Sequence, residues 1–380
     1  MALAGLRVIE FAGLAPGPFC GMVLSDFGAK VIRIDRTRSR QSIDCLARGK
    51  KSIQVDVKQK KGQEVVAKLC QTADVLVEPF RPGVMERLNL GPDRLLSVNP
   101  RLIYARLTGY GQVGPFADKA GHDINYIATS GVLSTLGREE ENPYAPINLV
   151  ADFAGGGLAC AMGILTALYE RSHSGKGQVI DASMTAGAAY VGSWLWRSRN
   201  LDFVWTSEKR GTNLLDGGQH FYDTYKTSDG KYMSVGALEP KFYADVLQGL
   251  GLTMDEVSQL DDPKASKQKF SKIFLTKTQD EWCKIFNGLD ACVMPVLDRD
   301  QAPNHPQNKA MGTFGVDENG ETEVLPAPKL SRTPGTVAGP EPKVGEHTRE
   351  TLIEIGYSQE DIDKLIEMGA VECGVSKPKL

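Results

Sequence analysis

The stretches Leu6-Arg-Val-Ile-Glu-Phe11 and Lys30-Val-Ile-Arg-Ile-Asp35 decide the fold class. Both are short apolar runs typical of buried strands. The loop Gly13-Leu-Ala-Pro-Gly-Pro18 and a helical stretch to about residue 27 separate them. The same unit recurs in the strand 52–57, the amphipathic run 61–72 and the strand 74–78. Strands that alternate with helices of this size predict a mostly parallel sheet with helices on its faces.

The sequence changes character after about residue 200. Before that point, a strand at 101–107, a long apolar helix from 153 to about 171 and a strand at 178–182 continue the alternation. Residues 221–235 then show two alternating strand patterns around Asp229-Gly230, a strong hairpin signal, and helices are predicted at 241–250 and around 279–286. We therefore predict an α/β fold. Its large domain, residues 1–200 and 325–380, holds a parallel Rossmann-like sheet flanked by helices, and residues 210–310 form a smaller α+β domain.

Composition excludes several classes of protein. The 380 residues carry a formal net charge of -3, which argues against a dedicated nucleic-acid binder. The seven cysteines form no CxxC pair, so free thiols are expected and neither a disulfide framework nor a zinc site is indicated. No uninterrupted apolar run reaches the roughly 18 to 20 residues that span a bilayer, so no membrane span is predicted. The first ten residues lack a signal-peptide pattern.

The first loop does not fit a nicotinamide cofactor. It lacks the G-x-G-x-x-G pattern, and Pro16 and Pro18 remove backbone N–H groups that would otherwise hold a pyrophosphate. Asp35 lies where an NAD-binding acid would be expected, but without the glycines it indicates only an aspartate at a strand end. No separate cofactor and no metal are predicted.

Basic residues cluster at and after the end of the second strand. A solvated face is one interpretation of this cluster. The other is a phosphate site, because arginine forks match phosphate oxygens and doubly wound sheets bind ligands at strand ends. The cluster comprises Arg33, Arg36, Arg38, Arg40, Arg48, Lys50 and Lys51.

Two segments carry candidate catalytic side chains. They are Ala120-Gly-His-Asp-Ile-Asn-Tyr126 and Asn148-Leu-Val-Ala-Asp-Phe-Ala-Gly-Gly-Gly157. Taken alone, His122 would be read as a structural histidine and Asp152 as a helix N-cap. Their combination is more informative than either residue.

These segments belong to a series of motifs that resembles the family III CoA-transferase superfamily over essentially the whole chain. Transferases of this superfamily use an aspartate at the position of Asp152 as a nucleophile that forms an acyl anhydride, but they generally lack a histidine at the position of His122. The further motifs are Glu10-Phe-Ala-Gly-Leu-Ala-Pro-Gly-Pro-Phe19, Leu24-Ser-Asp-Phe-Gly-Ala-Lys-Val-Ile-Arg-Ile-Asp35, Asn99-Pro-Arg-Leu-Ile-Tyr104, Gly109-Tyr-Gly-Gln-Val-Gly-Pro115 and Gly175-Lys-Gly-Gln-Val-Ile-Asp-Ala182.

The resemblance implies a racemase that interconverts (2R)- and (2S)-2-methyl-branched acyl-CoA thioesters through an enolate. The expected substrates are branched fatty acyl-CoA and bile-acid-intermediate CoA esters. His122 and Asp152 would exchange the α-proton, and Glu239 would orient the histidine, although a surface glutamate explains Glu239 equally well. The alternatives are a CoA-transferase that uses Asp152 as nucleophile and a non-catalytic acyl-CoA-binding protein.

The resemblance also implies the binding residues. Arg36 would reach the phosphate end of CoA, and the acyl chain would lie on Met184, Trp194 and Trp196, which core packing explains equally well. The adenine and pantetheine path would be lined by Val55, Asp56, Val57 and Lys58. The thioester would be covered by Gly121, Asp123, Ile124, Asn125 and Tyr126.

The mechanism sets two physical requirements. Protonation of carbon by Asp152 needs a pKa above the usual value of about 3.9, most simply through burial. The enolate oxygen needs donors, and we expect them from the free backbone N–H groups of Asp152-Phe-Ala-Gly-Gly-Gly157 at the start of a helix, where the glycines would let the thioester approach the backbone closely.

The resemblance further implies an interlocked homodimer with the active site between the large domain of one subunit and the small domain of the other. Peroxisomal and mitochondrial localisation is expected. The terminal Pro378-Lys379-Leu380 differs by one residue from a Ser-Lys-Leu peroxisomal address, which would make an import receptor a partner. A chance basic tail explains it equally well.

Overall fold

A computed structural model describes residues 1–39, 42–317 and 319–374. The chain divides into two compact units. The first comprises Met1–Ser130, Pro146–Val191 and the described residues from Met311 onward, and the second comprises Gly131–Ala145 and Gly192–Ala310. Compared with the predicted domain boundaries, residues 131–145 and 192–200 lie in the second unit, and the described residues of 311–324 lie in the first.

The helices and strands, with short 3₁₀ turns at Val132–Thr135 and Ala302–Asn304, follow one another along both units. The strands are β1 Arg7–Phe11, β2 Lys30–Asp35, β3 Lys51–Val55, β4 Val75–Glu78, β5 Ile103–Thr108, β6 Val179–Ser183, β7 Tyr222–Lys226, β8 Tyr232–Gly236, β9 Val293–Val296, β10 Phe314–Val316, β11 Thr322–Val324 and β12 Val371–Glu372. The α-helices are α1 Pro16–Asp26, α2 Lys60–Gln71, α3 Val84–Arg87, α4 Pro92–Val98, α5 Asp123–Thr129, α6 Ala159–Ser174, α7 Met184–Val191, α8 Ser193–Arg197, α9 Pro240–Leu250, α10 Pro263–Phe274, α11 Gln279–Phe286, α12 Pro306–Met311, α13 Thr348–Glu354 and α14 Gln359–Glu367.

The first unit is built on a seven-stranded sheet with the order β12-β3-β2-β1-β4-β5-β6. All neighbours pair in parallel except β12, which runs antiparallel to β3. The prediction of a parallel Rossmann-like sheet is therefore confirmed. The order reverses between β1 and β4, and in doubly wound sheets the crevice outside the carboxyl ends of the strands at such a point binds ligands.

Burial on both faces explains why the central strands are mostly apolar. Ile9, Ile32 and Leu76 have no exposed surface and lie in one apolar core. The amphipathic helix α2 adds Val65 and Leu69 to this core, at the spacing of one helix face.

The second unit contains a three-stranded antiparallel sheet, β7-β8-β9. The predicted hairpin is confirmed, because β7 and β8 pair directly and Gly230 has a positive φ of 82° in the turn between them. The helices predicted at 241–250 and 279–286 are present as α9 and α11. Tyr243, Phe274 and Trp282 from the helices fill a core against the sheet.

The long apolar helix begins earlier than predicted. A π-helical segment, Leu149–Leu158, follows Asn148 and runs directly into α6, so Asp152 is the fourth residue of the helix rather than its N-cap. The continuous helix Leu149–Ser174 has 26 residues and is long and apolar enough, by length and composition alone, to cross a bilayer. This corrects the expectation that no segment would qualify. Asp152 and the glycines interrupt the apolar run in the sequence, but they do not interrupt the helix.

The glycines of the π segment allow backbones to touch. A Cβ on Gly187 of α7 would lie 1.7 Å from the Gly155 carbonyl oxygen, and a Cβ on Gly155 would lie 2.4 Å from the Ala188 nitrogen. On the other side, a Cβ on Gly157 would lie 2.7 Å from the Pro16 carbonyl oxygen of α1. The glycine run therefore places the π segment directly against α1 and α7.

We predict that Gly187→Ala lowers the free energy of unfolding by more than about 3 kcal/mol, because the new methyl group meets a carbonyl oxygen that cannot yield without moving the π segment. Gly163→Ala in α6 is the matched control. Its Cβ would meet Ile180 at an ordinary 3.5 Å, so a gain of about 0.5–1 kcal/mol is expected. Chemical denaturation at one protein concentration measures both changes. Equal stability of the two variants would contradict the proposed packing.

Candidate active site

The predicted site residues of the first unit come from loops at the carboxyl edge of the sheet. Arg36 directly follows β2, and Asp56 follows β3, which pairs with β2 in parallel. The loop after β5 leads to His122, the residue before α5. This is the edge at which the order of the strands predicts a ligand.

His122 is exposed and has an extended backbone at the start of α5. Its backbone N–H donates to the Asn125 side-chain oxygen at 3.0 Å, and the Asn125 N–H donates to the His122 carbonyl at 2.8 Å. These reciprocal bonds hold the backbone of the histidine and leave its ring available to a ligand.

Asp152 is half-buried in the first turn of the π segment. Burial raises the pKa of its carboxyl group above the usual value, and the nearby Asp123 carboxylate raises it further. A hydrogen bond from Asn148 Nδ2 at 3.3 Å and the charge of His122 act in the opposite direction. The direction of this pKa shift and its main cause, burial, are those expected from the sequence.

Asp123 occupies the first position of α5 and is buried. Its Oδ2 accepts the backbone N–H groups of Ala151 and Asp152, at 2.7 and 2.8 Å. The family resemblance implied that Asp123 would cover the thioester. In the structure its carboxylate instead bonds to the start of the π segment.

Tyr126 of α5 contacts the loop that precedes His122. Its hydroxyl donates to the Gly121 carbonyl, and its ring packs edge-on against Tyr110. Burial raises the pKa of Tyr126 to about 12, and the charge of Asp152 adds to the shift. Gly121 must be glycine because a Cβ would lie 2.7 Å from the Tyr126 ring. Ile124, on the same helix, is exposed.

The glycine run does not provide the expected oxyanion site. Gly155, Gly156 and Gly157 lie beyond the first turn of the π segment, where helical N–H groups bond to carbonyls within the helix, and all three are buried. The N–H groups of Ala151 and Asp152 are bonded to Asp123. The expectation was wrong because it rested on a helix that begins at Asp152.

Most of the basic cluster lies in internal ion pairs. Arg33, only 1% exposed, bonds to Asp35 and Asp44 at 3.0 Å each. Arg48 pairs with Asp26 and Glu323, Lys50 with Glu10, and Lys51 with Glu350 and Glu354. Burial raises the pKa of Glu10 to about 7 against the opposing effect of Lys50. Arg36 and Arg38 are exposed, and Arg40 lies outside the described residues.

The predicted adenine and pantetheine path forms the turn after β3. Val55 is buried at the strand end, Val57 packs partly against the core, and Lys58 is exposed. The Asp56 carboxylate accepts the Lys58 backbone N–H and the Gln59 side-chain amide, both at 3.0 Å. Only Lys58 therefore presents a charged group to solvent from this turn.

The remaining candidates lie elsewhere. Glu239 is exposed in the second unit, directly before α9. Met184 is buried, which fits core packing, whereas Trp194 and Trp196 are 47% and 48% exposed. His220 is a structural histidine, since it is fully buried, its Nε2 lies 2.8 Å from the Tyr243 hydroxyl, and burial lowers its pKa to about 4.

Sequence reasoning missed two residues near the site. Asn148 donates a hydrogen bond to Asp152 and is the N-cap of the π segment. Its position four residues before Asp152 was the available signal in the sequence. Arg81, in the exposed loop after β4, lies close enough for its charge to lower the pKa of Tyr126. Arg81 follows β4, one of the two strands between which the order of the sheet reverses, and this position was the available signal in the sequence.

A cavity of about 1530 Å³ in the first unit contains none of the predicted site residues. Its lining includes Phe19, Phe153 and described residues between Gly312 and Glu341. Among the described residues, no group of three or more His, Cys, Asp or Glu side chains is arranged to hold a metal ion.

Known proteins match this fold and this arrangement of loops. The sequence pattern of CoA-transferase family III matches residues 3–348, and the chain belongs to this family. It is 53% identical to alpha-methylacyl-CoA racemase of Homo sapiens, over 99% of this chain and 100% of the relative, and 53% identical to the protein of the same name from Mus musculus, over 100% of each. A crystal structure of Rv3272 from M. tuberculosis has a TM-score of 0.75 and 27% identity, covering 91% of this chain and 97% of that one.

We predict that Arg33→Met lowers the free energy of unfolding by about 3–5 kcal/mol, because it leaves the Asp35 and Asp44 carboxylates without their buried partner. Arg36→Met, three residues away on the exposed side, is the matched control and should change stability by less than about 0.5 kcal/mol. Denaturant unfolding of both variants tests the division of the cluster into structural and exposed arginines. Similar losses in both would refute it.

Proposed function

We propose that this chain is a racemase that interconverts (2R)- and (2S)-2-methyl-branched acyl-CoA thioesters. The observation that carries the proposal is the pairing of His122 and Asp152, which one buried carboxylate, Asp123, holds at adjacent helix starts. Identity of 53% to two proteins named alpha-methylacyl-CoA racemase supports it.

The pair suits a two-base reaction. One side chain removes the α-proton and leaves an enolate of the thioester, and the other delivers a proton to the opposite face of the same carbon. With the opposite hand of substrate the roles exchange. Each step needs one partner protonated and the other not, and burial shifts the pKa of Asp152 in the direction that favours its proton-donating form. Glu239 is proposed as the third catalytic residue on the family resemblance.

A CoA-transferase would share Asp152 and use it as a nucleophile toward the thioester carbonyl. Asp152 alone is compatible with both reactions, and it is the histidine beside it that favours proton transfer. His122 has a direct role in the racemase mechanism and none in the transferase step. The two activities are separable by experiment.

We predict that the wild-type protein incorporates α-deuterium from deuterium oxide into both hands of a 2-methylacyl-CoA. His122→Ala and Asp152→Asn should each lower this exchange at least 100-fold, because each removes one of the two proton carriers. His173→Ala, a change at an exposed histidine of α6, is the control. Mass spectrometry follows the exchange. Absence of exchange with wild type, together with hydroxylamine trapping at Asp152, would establish the transferase instead.

Arg36 is proposed to bind the phosphate end of CoA, supported by its exposure at the carboxyl edge next to the turn after β3. Val55, Val57 and Lys58 of that turn are proposed to line the path toward the thioester.

We predict that Arg36→Ala raises KM for acyl-CoA about 10-fold or more with kcat within about twofold, since its contact is remote from the reacting carbon and equally strong in ground and transition states. Arg101→Ala is the control, because Arg101 is an exposed arginine at the amino edge, two residues before β5. Steady-state kinetics at several salt concentrations measure both. A lowered kcat with unchanged KM would contradict this role.

The acyl groups proposed are 2-methyl-branched fatty acids and bile-acid intermediates. Half-exposed Trp194 and Trp196 support an apolar surface for the chain, whereas buried Met184 does not.

An interlocked homodimer is proposed, and an apolar stripe on α6 supports it. Leu158, Met162, Leu165 and Tyr169 repeat at helical spacing, and each is more than 40% exposed. Such a stripe is typical of a face that a partner covers.

Localisation in the peroxisome and the mitochondrion is proposed on the resemblance alone. Pro378-Lys379-Leu380, the proposed ligand of a peroxisomal import receptor, lies outside the described residues. Import of a reporter that carries the last ten residues, with and without Leu380, would test it.

A further inference from the structure

The side chain of Asp123 joins the two helix starts that carry the catalytic pair. It follows His122 directly in the chain, and its Oδ2 accepts the N–H groups of Ala151 and Asp152, at 2.7 and 2.8 Å. One carboxylate oxygen therefore sets where the backbone of the acid lies relative to the backbone of the histidine. Asp123 is 3% exposed, so solvent does not compete for these bonds.

The second carboxylate oxygen behaves differently. Among the described residues, Oδ1 of Asp123 is buried and has no hydrogen-bond partner. A carboxylate that only capped a helix would be equally well satisfied at a surface position, and an asparagine or serine would serve. A buried carboxylate with one free oxygen keeps much of its charge unneutralised, and the Asp152 carboxyl is close enough to respond to it.

We propose that Asp123 is a positioning residue for the proton transfer, which both anchors the turn that carries Asp152 and uses its charge to favour the protonated form of that acid. This inference rests on the proposed racemase function. It removes Asp123 from the substrate contacts. The position and the proton affinity of Asp152 therefore both depend on Asp123, the residue that follows His122.

The groups around Asp152 allow a clean electrostatic test. His122 and Asp123 are the charged groups that act on its carboxyl, with opposite signs. Asp26 of α1 and Arg106 of β5 are engaged in ion pairs with Arg48 and with Glu78 and Glu86. Other ionisable side chains on the elements packed against the π segment are Tyr126 of α5, Cys20 of α1, Cys160, Tyr169, Glu170, Arg171 and His173 of α6, Tyr190 of α7, Tyr104 of β5 and Asp181 of β6.

Two substitutions at Asp123 separate the anchor from the charge. Asp123→Asn keeps an oxygen that can accept both N–H groups but removes the charge, whereas Asp123→Ala removes both. Asp93→Asn is the matched control, since Asp93 is an exposed aspartate in the first turn of α4 in the same unit. Each variant is assayed by α-deuterium exchange from both substrate hands across pH, and by amide hydrogen exchange of segment 146–158.

For Asp123→Asn we expect wild-type protection of segment 146–158 and exchange within about tenfold of wild type at the optimum. The limb of the pH profile set by Asp152 should move to lower pH, because the loss of the negative charge at residue 123 lowers the pKa of the neighbouring acid. The pH limb moves to lower pH for both directions of the reaction. Where Asp152 is the base, activity persists to lower pH, and where it is the acid, activity is lost at lower pH.

For Asp123→Ala we expect faster amide exchange in 146–158 and a fall in kcat of at least about 100-fold with little change in KM, since misplacement of a catalytic group by about 1 Å costs that much. Asp93→Asn should match wild type in every measurement.

An unchanged pH limb in Asp123→Asn would overturn the electrostatic half of the proposal, and unchanged protection in Asp123→Ala would overturn the anchor. If wild type shows no α-deuterium exchange, the racemase function fails, while the amide-exchange result still decides the anchor.

Discussion

Two backbone hydrogen bonds to the Asp123 carboxylate hold the site together. The loop after β5 and the start of the π segment are separate stretches of chain, and without a common acceptor nothing would require His122 and Asp152 to lie within reach of one substrate carbon. Because the acceptor adjoins the histidine in sequence, any shift of one helix start carries the other with it. The geometry is therefore preserved even though His122 itself is exposed.

The anchor works because the π segment has no freedom on its other sides. Its glycines bring the backbone against α7 at Gly187 and against α1 at Pro16. Such contacts replace side-chain packing, so the half-buried acid sits on a segment held from three directions. The same packing removes water from Asp152, and the loss of hydration raises the pKa of its carboxyl. The packing of these backbones thus both holds Asp152 in position and raises the pKa of its carboxyl group.

The buried basic residues of the first unit form ion pairs, a role that their clustering in the sequence does not suggest. Arg33, Arg48 and Lys50 look like a ligand-binding cluster in the sequence, but each is paired with a buried carboxylate. Burying an unpaired charge is far more costly than burying a pair, so the sheet edge requires these partners. Arg36 is exposed at the same edge, which leaves it available for an anionic ligand.

The sequence alone determined the class of the protein. Periodicity predicted the parallel sheet, the hairpin around Gly230 and the helices α9 and α11, because these depend on local patterns of two and 3.6 residues. His122 and Asp152 were identifiable from their motifs. Only the tertiary structure decided that the helix begins before Asp152, that the glycines serve packing, and that Asp123 bonds to the π segment. Each of these depends on which distant backbone lies alongside, and a local pattern does not contain that information.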